Sequence, residues 1–202
     1  MHFIHVHDKP RGRKTTYLNI VANIRPQKED PYRIRFTVGG ERLDYPGPTA
    51  TETAEIQTAN ILFNSTISTK GGRFMCIYLK DIYLGTPMNR YEYMWINMSD
   101  IPQDIISQYG LREKAVNVKM LVETRKGMYG LKQAGRIAND RLKQHLKTYG
   151  YVPCRYTPGL FTHTSQKISF ALCVDDFGVK YTDKADAQHL LTCLEKHNRL
   201  GG

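Results

Sequence analysis

The chain has 202 residues, 41% of them hydrophobic and 24% charged, a composition that supports a buried core and excludes a disordered tract. Its 29 Lys and Arg outnumber 19 Asp and Glu, a net charge of +10 that favours a polyanionic partner, either nucleic acid or an anionic membrane surface. No apolar run approaches the roughly 18–20 residues that span a bilayer, and the opening MHFIHVHDKPRGRK lacks the apolar block of a signal peptide.

In chain order, His2, His5 and His7 come first. Their alternation admits metal binding, but a frayed, solvated terminus is the simpler reading. YLNIVA (17–22) and YRIRFTV (32–38) read as strands around the turn RPQKEDP. After the Pro/Gly connector ERLDYPGP, Thr49 and Glu52 have capping-box spacing. Ile56, Ala59, Phe63 and Ile67 then recur at helical intervals and predict a helix. RFMCIYL (73–79) reads as a buried strand and YEYMWINM (91–98) as an alternating one. A short helix is predicted at 102–109, with Pro near its start and Gly110 beyond its end. Residues 116–123 form a further strand candidate.

The clearest helix covers 134–149. Ile137, Ala138, Leu142, Leu146 and Tyr149 line one side, and Gly150 stands where a C-terminal cap belongs. Residues 168–174 and 177–181 predict an apolar hairpin with Asp175 and Asp176 at its turn. Asp183 then caps a last helix carrying Ala187, Leu190, Leu191 and Leu194. Strands and helices mix without strict alternation, so the expected class is α+β, helices packed on a largely antiparallel sheet. Cys76, Cys154, Cys173 and Cys193 are isolated, with no zinc-ligand spacing, and fit reduced thiols in an intracellular protein, cytoplasmic or nuclear.

The segment FALCVDDFGVKY (170–181) carries the most chemistry. Two adjacent carboxylates sit between apolar arms, and like charges a few Å apart repel unless a cation bridges them. Divalent metal binding is the functional reading. A plain turn, where Asp hydrogen-bonds its own backbone, is the other.

This hairpin resembles the x-x-Asp-Asp hairpin of reverse transcriptases. Upstream, KGMYGLKQAGRIANDRL (126–142) is similar to the LYGLKQA stretch of copia-type long-terminal-repeat retrotransposon polymerases. GYVPCRYTPGLF (150–161) looks like the family's connection between the two, and KDIYLGTPM (80–88) like its first catalytic block. The resemblance covers roughly residues 11–198. It implies a reverse transcriptase domain over 1–202, an RNA-directed DNA polymerase. About 1–70 would be mainly fingers and 71–202 mainly palm, with a return to the fingers around 101–133.

The resemblance also implies residue roles. Asp175 would bridge two Mg²⁺ ions (Mn²⁺ as a substitute) and Asp176 would help position them for nucleotidyl transfer from a dNTP. Gln133 would lie against the incoming nucleotide and template, and Tyr83 would stack under the nucleotide sugar. Asp81 falls in the turn whose amides cradle the triphosphate. Arg33 and Arg35 would contact triphosphate and template from the fingers. Each has a plain reading as well: Gln133 as a helix cap, Tyr83 as a core aromatic, Arg33 and Arg35 as a solvated strand face. The implied partners are an RNA template and a DNA primer, with no membrane.

Two departures set this chain apart. The family's first catalytic aspartate stands five residues before the sugar-sensing aromatic, and that position here is Tyr78. A phenol with an ordinary pKa near 10 is a poor Mg²⁺ ligand. Asp81 is no easy substitute, because three residues along a strand is about 10 Å and the opposite face. The chain also stops soon after the hairpin and its helix. The family's thumb and RNase H domain are not in it, so the resemblance implies a fragment or decayed copy of a polymerase, with the rest of a Pol polyprotein as an implied partner. The expectation is a reverse transcriptase-like domain impaired in catalysis, with a non-catalytic basic nucleic-acid-binding module as the alternative.

Overall fold

The computed structural model describes residues 1–27, 29–197 and 200–201; Lys28 of the RPQKEDP turn lies outside them. In chain order the elements are β1 (His2–Ile4), β2 (Thr15–Ile24), β3 (Tyr32–Val38), α1 (Ile56–Ile67), β4 (Arg73–Leu79), α2 (Ile82–Gly85), β5 (Pro87–Asn97), α3 (Gln103–Gln108), α4 (Leu111–Lys114), β6 (Lys119–Lys126), α5 (Ala134–Thr148), β7 (Tyr151–Pro153), β8 (Leu160–His163), β9 (Ile168–Cys173), β10 (Asp176–Tyr181), α6 (Lys184–His197) and β11 (Leu200–Gly201). The class is mixed α+β. No helix among the described residues is long and apolar enough to cross a membrane. The chain divides into two compact units, Met1–Thr49 with Tyr83–Ala134, and Ala50–Ile82 with Gly135–Gly202.

The first unit is built on a five-stranded sheet of order β1-β6-β5-β2-β3. The N-terminus is not frayed. β1 pairs antiparallel with β6, His2 opposite Glu123, which supplies the backbone partners a loose end would lack. β2 joins β5 in parallel through Thr15–Tyr17, then continues past the sheet as a long hairpin with β3. Met94, Met120, Leu121 and Val122 are fully buried in this sheet. The predicted strand at 116–123 starts later, because Asn117 (φ 48°) and Val118 (φ 58°) form a left-handed turn before β6. On the β2–β3 hairpin, Ile20, Ile24, Tyr32, Ile34 and Phe36 share one exposed face. Arg33 and Arg35 lie on the other.

The second unit is built on a six-stranded antiparallel sheet of order β11-β4-β10-β9-β8-β7. Alternation divides β10 cleanly. Phe177 and Val179 are buried, with Phe170 and Leu172 of β9 on the same face. Rings connect that face to α6: Phe170 lies 5.8 Å from Tyr151, whose hydroxyl hydrogen-bonds His189 Nδ1 at 3.0 Å. Leu190 and Leu194 of α6 are fully buried, as are Leu142 and Leu146 of α5. The opposite face meets α1. Lys180 Nζ donates to Ser65 Oγ (2.6 Å), Thr69 Oγ1 (2.9 Å) and the Ser65 carbonyl. Phe63 meets Phe74 edge-on at 5.2 Å.

Two expectations need correction here. α1 begins at Ile56 after Glu55, not at the Thr49/Glu52 box, and its buried residues are Leu62 and Thr66. The stripe is only partly covered: Phe63 touches Phe74, yet Ile56 is 69%, Phe63 48% and Ile67 70% exposed. Apolar spacing marks a stripe but not which side meets the sheet. Here the lysine anchor on β10 determines that side. β4, expected to be buried throughout, buries only Ile77 and Leu79, because its other face lines open space.

Candidate active site

β9 and β10 pair from Ile168 opposite Tyr181 to Cys173 opposite Asp176. The loop is therefore Val174-Asp175, and Asp176 already belongs to β10. This corrects the expected turn by one residue. Val174 has φ 61° while Asp175 keeps a negative φ, the pattern of a two-residue type II′ turn. That first position favours glycine. A β-branched residue there is strained by about 1–3 kcal/mol. The strain persists because both arms are paired and packed, and it fixes where the two carboxylates project.

Asp176 has a strand neighbour on each side. On β9 it faces Cys173, and on β4 it faces Tyr78. Directly opposed residues point to the same face of a sheet, so the phenol, the thiol and the carboxylate share one surface. Asp175 is tied to β4 through its carbonyl, which accepts from the Leu79 amide at 2.9 Å. Burial, with the neighbouring Asp176 charge added, pushes the Asp175 carboxyl above the usual range. The donor set at this edge is two carboxylates and a phenol. Among the described residues no three His, Cys, Asp or Glu side chains gather as a metal-ligand group. Two carboxylates and a phenol are a sparse set of hard oxygen donors for a pair of divalent ions.

Four of the implied residues lie in the first unit. The Tyr83 ring meets the Tyr129 ring edge-on at 6.1 Å, and the Arg35 guanidinium lies 5.7 Å from the Tyr129 centroid. Tyr129 thus links two implied residues that sequence spacing left unconnected. Its carbonyl accepts the Val38 amide at 2.8 Å, which staples the MYGLK stretch to β3. Gly130 (φ 93°) is required in this staple, since a Cβ there would run into the Val38 carbonyl oxygen. Arg33 pairs with Asn23 across the hairpin. Asp81 is in the second unit, exposed, with φ 54° in the turn between β4 and α2.

Gln133 is buried, 1% exposed, and its Nε2 donates to Glu92 Oε1 at 3.0 Å. Glu92 is itself 2% exposed, and Arg13 Nη2 donates to its Oε2 at 2.9 Å. Arg13 Nη2 also donates to the Tyr91 carbonyl, and Arg90 Nε stands 3.9 Å from Glu92. The Gln133 amide is thus committed to an internal carboxylate. Glu92 and Arg13 were missed from sequence. The signal was there, because Glu92, Met94 and Ile96 alternate on one face of β5, and an acid at an inward position needs a buried partner.

No protein-family model matches the chain.

Proposed function

We propose that this chain is a reverse transcriptase-like domain related to copia-type retrotransposon polymerases, with its nucleotidyl-transfer site impaired by Tyr78. One observation carries the reading. In the β4–β10 register Tyr78 is the direct partner of Asp176, which supports matching position 78 to the family's first aspartate. The strained turn at Val174 supports it, since local strain concentrates where side chains must be aimed. RNA template, DNA primer and dNTP are the substrates this reading implies, and Mg²⁺ the ion.

Primer extension on an RNA template, with Mg²⁺ or Mn²⁺, tests the proposal. The unmodified chain is expected to give no dNTP-dependent extension. Tyr78→Asp, assayed alone and with a thumb segment supplied in trans, is expected to give extension above that background. Robust extension by the unmodified chain overturns the impairment. Failure of Tyr78→Asp in both formats, with its fold intact, counts against the site assignment.

The phenol at position 78 and the net charge of +10 favour a second reading, a non-catalytic nucleic-acid binder. It predicts steeply salt-dependent, sequence-indifferent binding that Asp175→Asn leaves unchanged.

A further inference from the structure

The face of the second unit's sheet that carries Asp176 is only partly covered by α1. Beside the helix lies a cavity of about 570 Å³, within the roughly 300–1,000 Å³ of ordinary ligand sites. Ile56 and Ala59 form its helical wall, Phe74 and Cys76 line it from β4, and Ala171 and Gly178 form its floor. The floor is low because Gly178 pairs with Cys76 on one side and Ala171 on the other, so three small residues lie abreast. A Cβ at Gly178 would come within 3.0 Å of the Phe74 ring.

The charges in this cavity oppose those of the molecule. The chain has 29 Lys and Arg, yet Glu55 and Asp176 are the charged side chains that line it, with no cation among the lining residues. Glu55 makes no capping hydrogen bond to α1, although it occupies the N-cap position. Among the described residues neither carboxylate has an ion-pair partner. With no metal ion bound, an apolar slot rimmed by two acids that lack an ion-pair partner disfavours phosphates and favours positive charge.

We propose that this cavity binds a small hydrophobic cation, an aromatic or aliphatic body bearing an ammonium or amidinium group. The body lies over Ala171 and Gly178 against Phe74 and Ile56. The cation sits toward Glu55 and Asp176. The cavity shares Asp176 and Tyr78 with the proposed polymerase site, but the inference does not rest on that reading, because occupancy by such a cation requires neither metal nor nucleotide.

The cavity contains its own reporters. Cys76 and Cys173 line it and are exposed free thiols, whereas Cys154 lies elsewhere. The test measures alkylation by N-ethylmaleimide, resolved by peptide mass spectrometry, in EDTA and without nucleotide. 1-Naphthylmethylammonium is expected to slow modification of Cys76 and Cys173 by about fivefold or more at saturation, as simple occlusion requires. Cys154 is expected to be unaffected. 1-Naphthylacetate and methylammonium are each expected to protect neither thiol. Glu55→Gln is expected to raise the half-protecting concentration about two- to fivefold, the scale of one exposed ion pair. Ala59→Leu, which fills the slot from a helical position, is expected to abolish protection. Equal protection by the acetate or by methylammonium overturns the proposal. So does equal slowing of Cys154, or no protection of the unmodified chain at millimolar probe, and these outcomes need no variant to fold.

Discussion

Tyr78 and Asp176 are cross-strand partners at the ends of β4 and β10, so a phenol stands beside the carboxylate of a two-aspartate hairpin. Replacing Tyr78 by Asp sets like charges directly opposite each other, which costs about 0.2–1 kcal/mol in a sheet. In EDTA, Tm of Tyr78→Asp is expected to fall by roughly 1–4 °C for a chain of this size. Mn²⁺ is expected to reverse that loss, because a third carboxylate completes the donor set. A Tm of Tyr78→Asp that stays equally low with Mn²⁺ shows that the three side chains do not converge on an ion.

Val174 at φ 61° makes the hairpin less stable than its pairing allows. Glycine removes the β-branched clash but costs backbone entropy in the unfolded chain, about 0.5–1 kcal/mol. The relief is larger, so Val174→Gly is expected to stabilise by about 0.5–1 kcal/mol net. Urea unfolding of the two proteins measures the difference. A destabilised glycine variant indicates that the valine side chain contributes packing that outweighs its strain.

The Glu92–Gln133–Arg13 cluster is the buried polar centre of the first unit. Glu92→Ala leaves the buried Gln133 amide unpaired and the half-buried Arg13 guanidinium with its bond to the Tyr91 carbonyl alone, and is expected to cost about 2–4 kcal/mol. Gln133→Ala leaves one carboxylate oxygen less well served and is expected to cost about 1–3 kcal/mol. The double variant should fall short of the sum, because both changes remove the same hydrogen bond. Strict additivity in chemical denaturation contradicts a shared network.

Strong local signals were legible in the sequence. α5 over Ala134–Thr148 ends where Gly150 takes φ 87°, and β3 occupies the predicted residues. Both depend on periodicity and on a residue type that one conformation demands. The failures share a different cause. The α1 stripe of Ile56, Phe63 and Ile67 is largely exposed because Lys180, distant in sequence, anchors the neighbouring flank of that helix. β1 was missed because its partner β6 lies more than a hundred residues along the chain. At the hairpin the residue types were legible but the turn was displaced by one. Aspartate is a better turn former than valine, and only the pairing of Cys173 with Asp176 overrides that preference. Gln133 was legible as a conspicuous polar residue, but not its partner, because Glu92 reaches it only through folding.

Asp175 is held above the usual carboxyl range by burial and by the Asp176 charge. The folded state therefore retains its proton at a pH where the unfolded chain, with an Asp pKa near 3.9, has lost it. Stability from this group is fully present below that unfolded value and is lost as pH rises through the folded one. Asp175→Asn, which cannot ionise, is expected to be more stable than the parent at pH 7, with the gap closing toward pH 3. Unfolding titrations of both proteins across that range measure the gap. A gap that is constant with pH removes ionisation as its cause.

The opposite sign holds at the other side of the second unit. The His197 ring stacks on His145 at 4.7 Å, and His145 Nε2 donates to the Cys193 carbonyl at 2.7 Å, joining α5 to α6. Burial, then His145 and Arg141, keeps the His197 imidazole below its ordinary value. The unfolded chain takes up a proton near pH 6.5 that the folded one resists. Stability is thus present above that value and is lost as pH falls toward the folded pKa. His197→Phe keeps an aromatic ring against His145 without a proton to bind. Its stability is expected to drop less than the parent's between pH 7.5 and 5 in urea unfolding. An identical drop in the two proteins would move the acid sensitivity to some other group, and hydrogen exchange along α5 and α6 at both pH values would then show no acid-dependent loosening around His145 and Cys193.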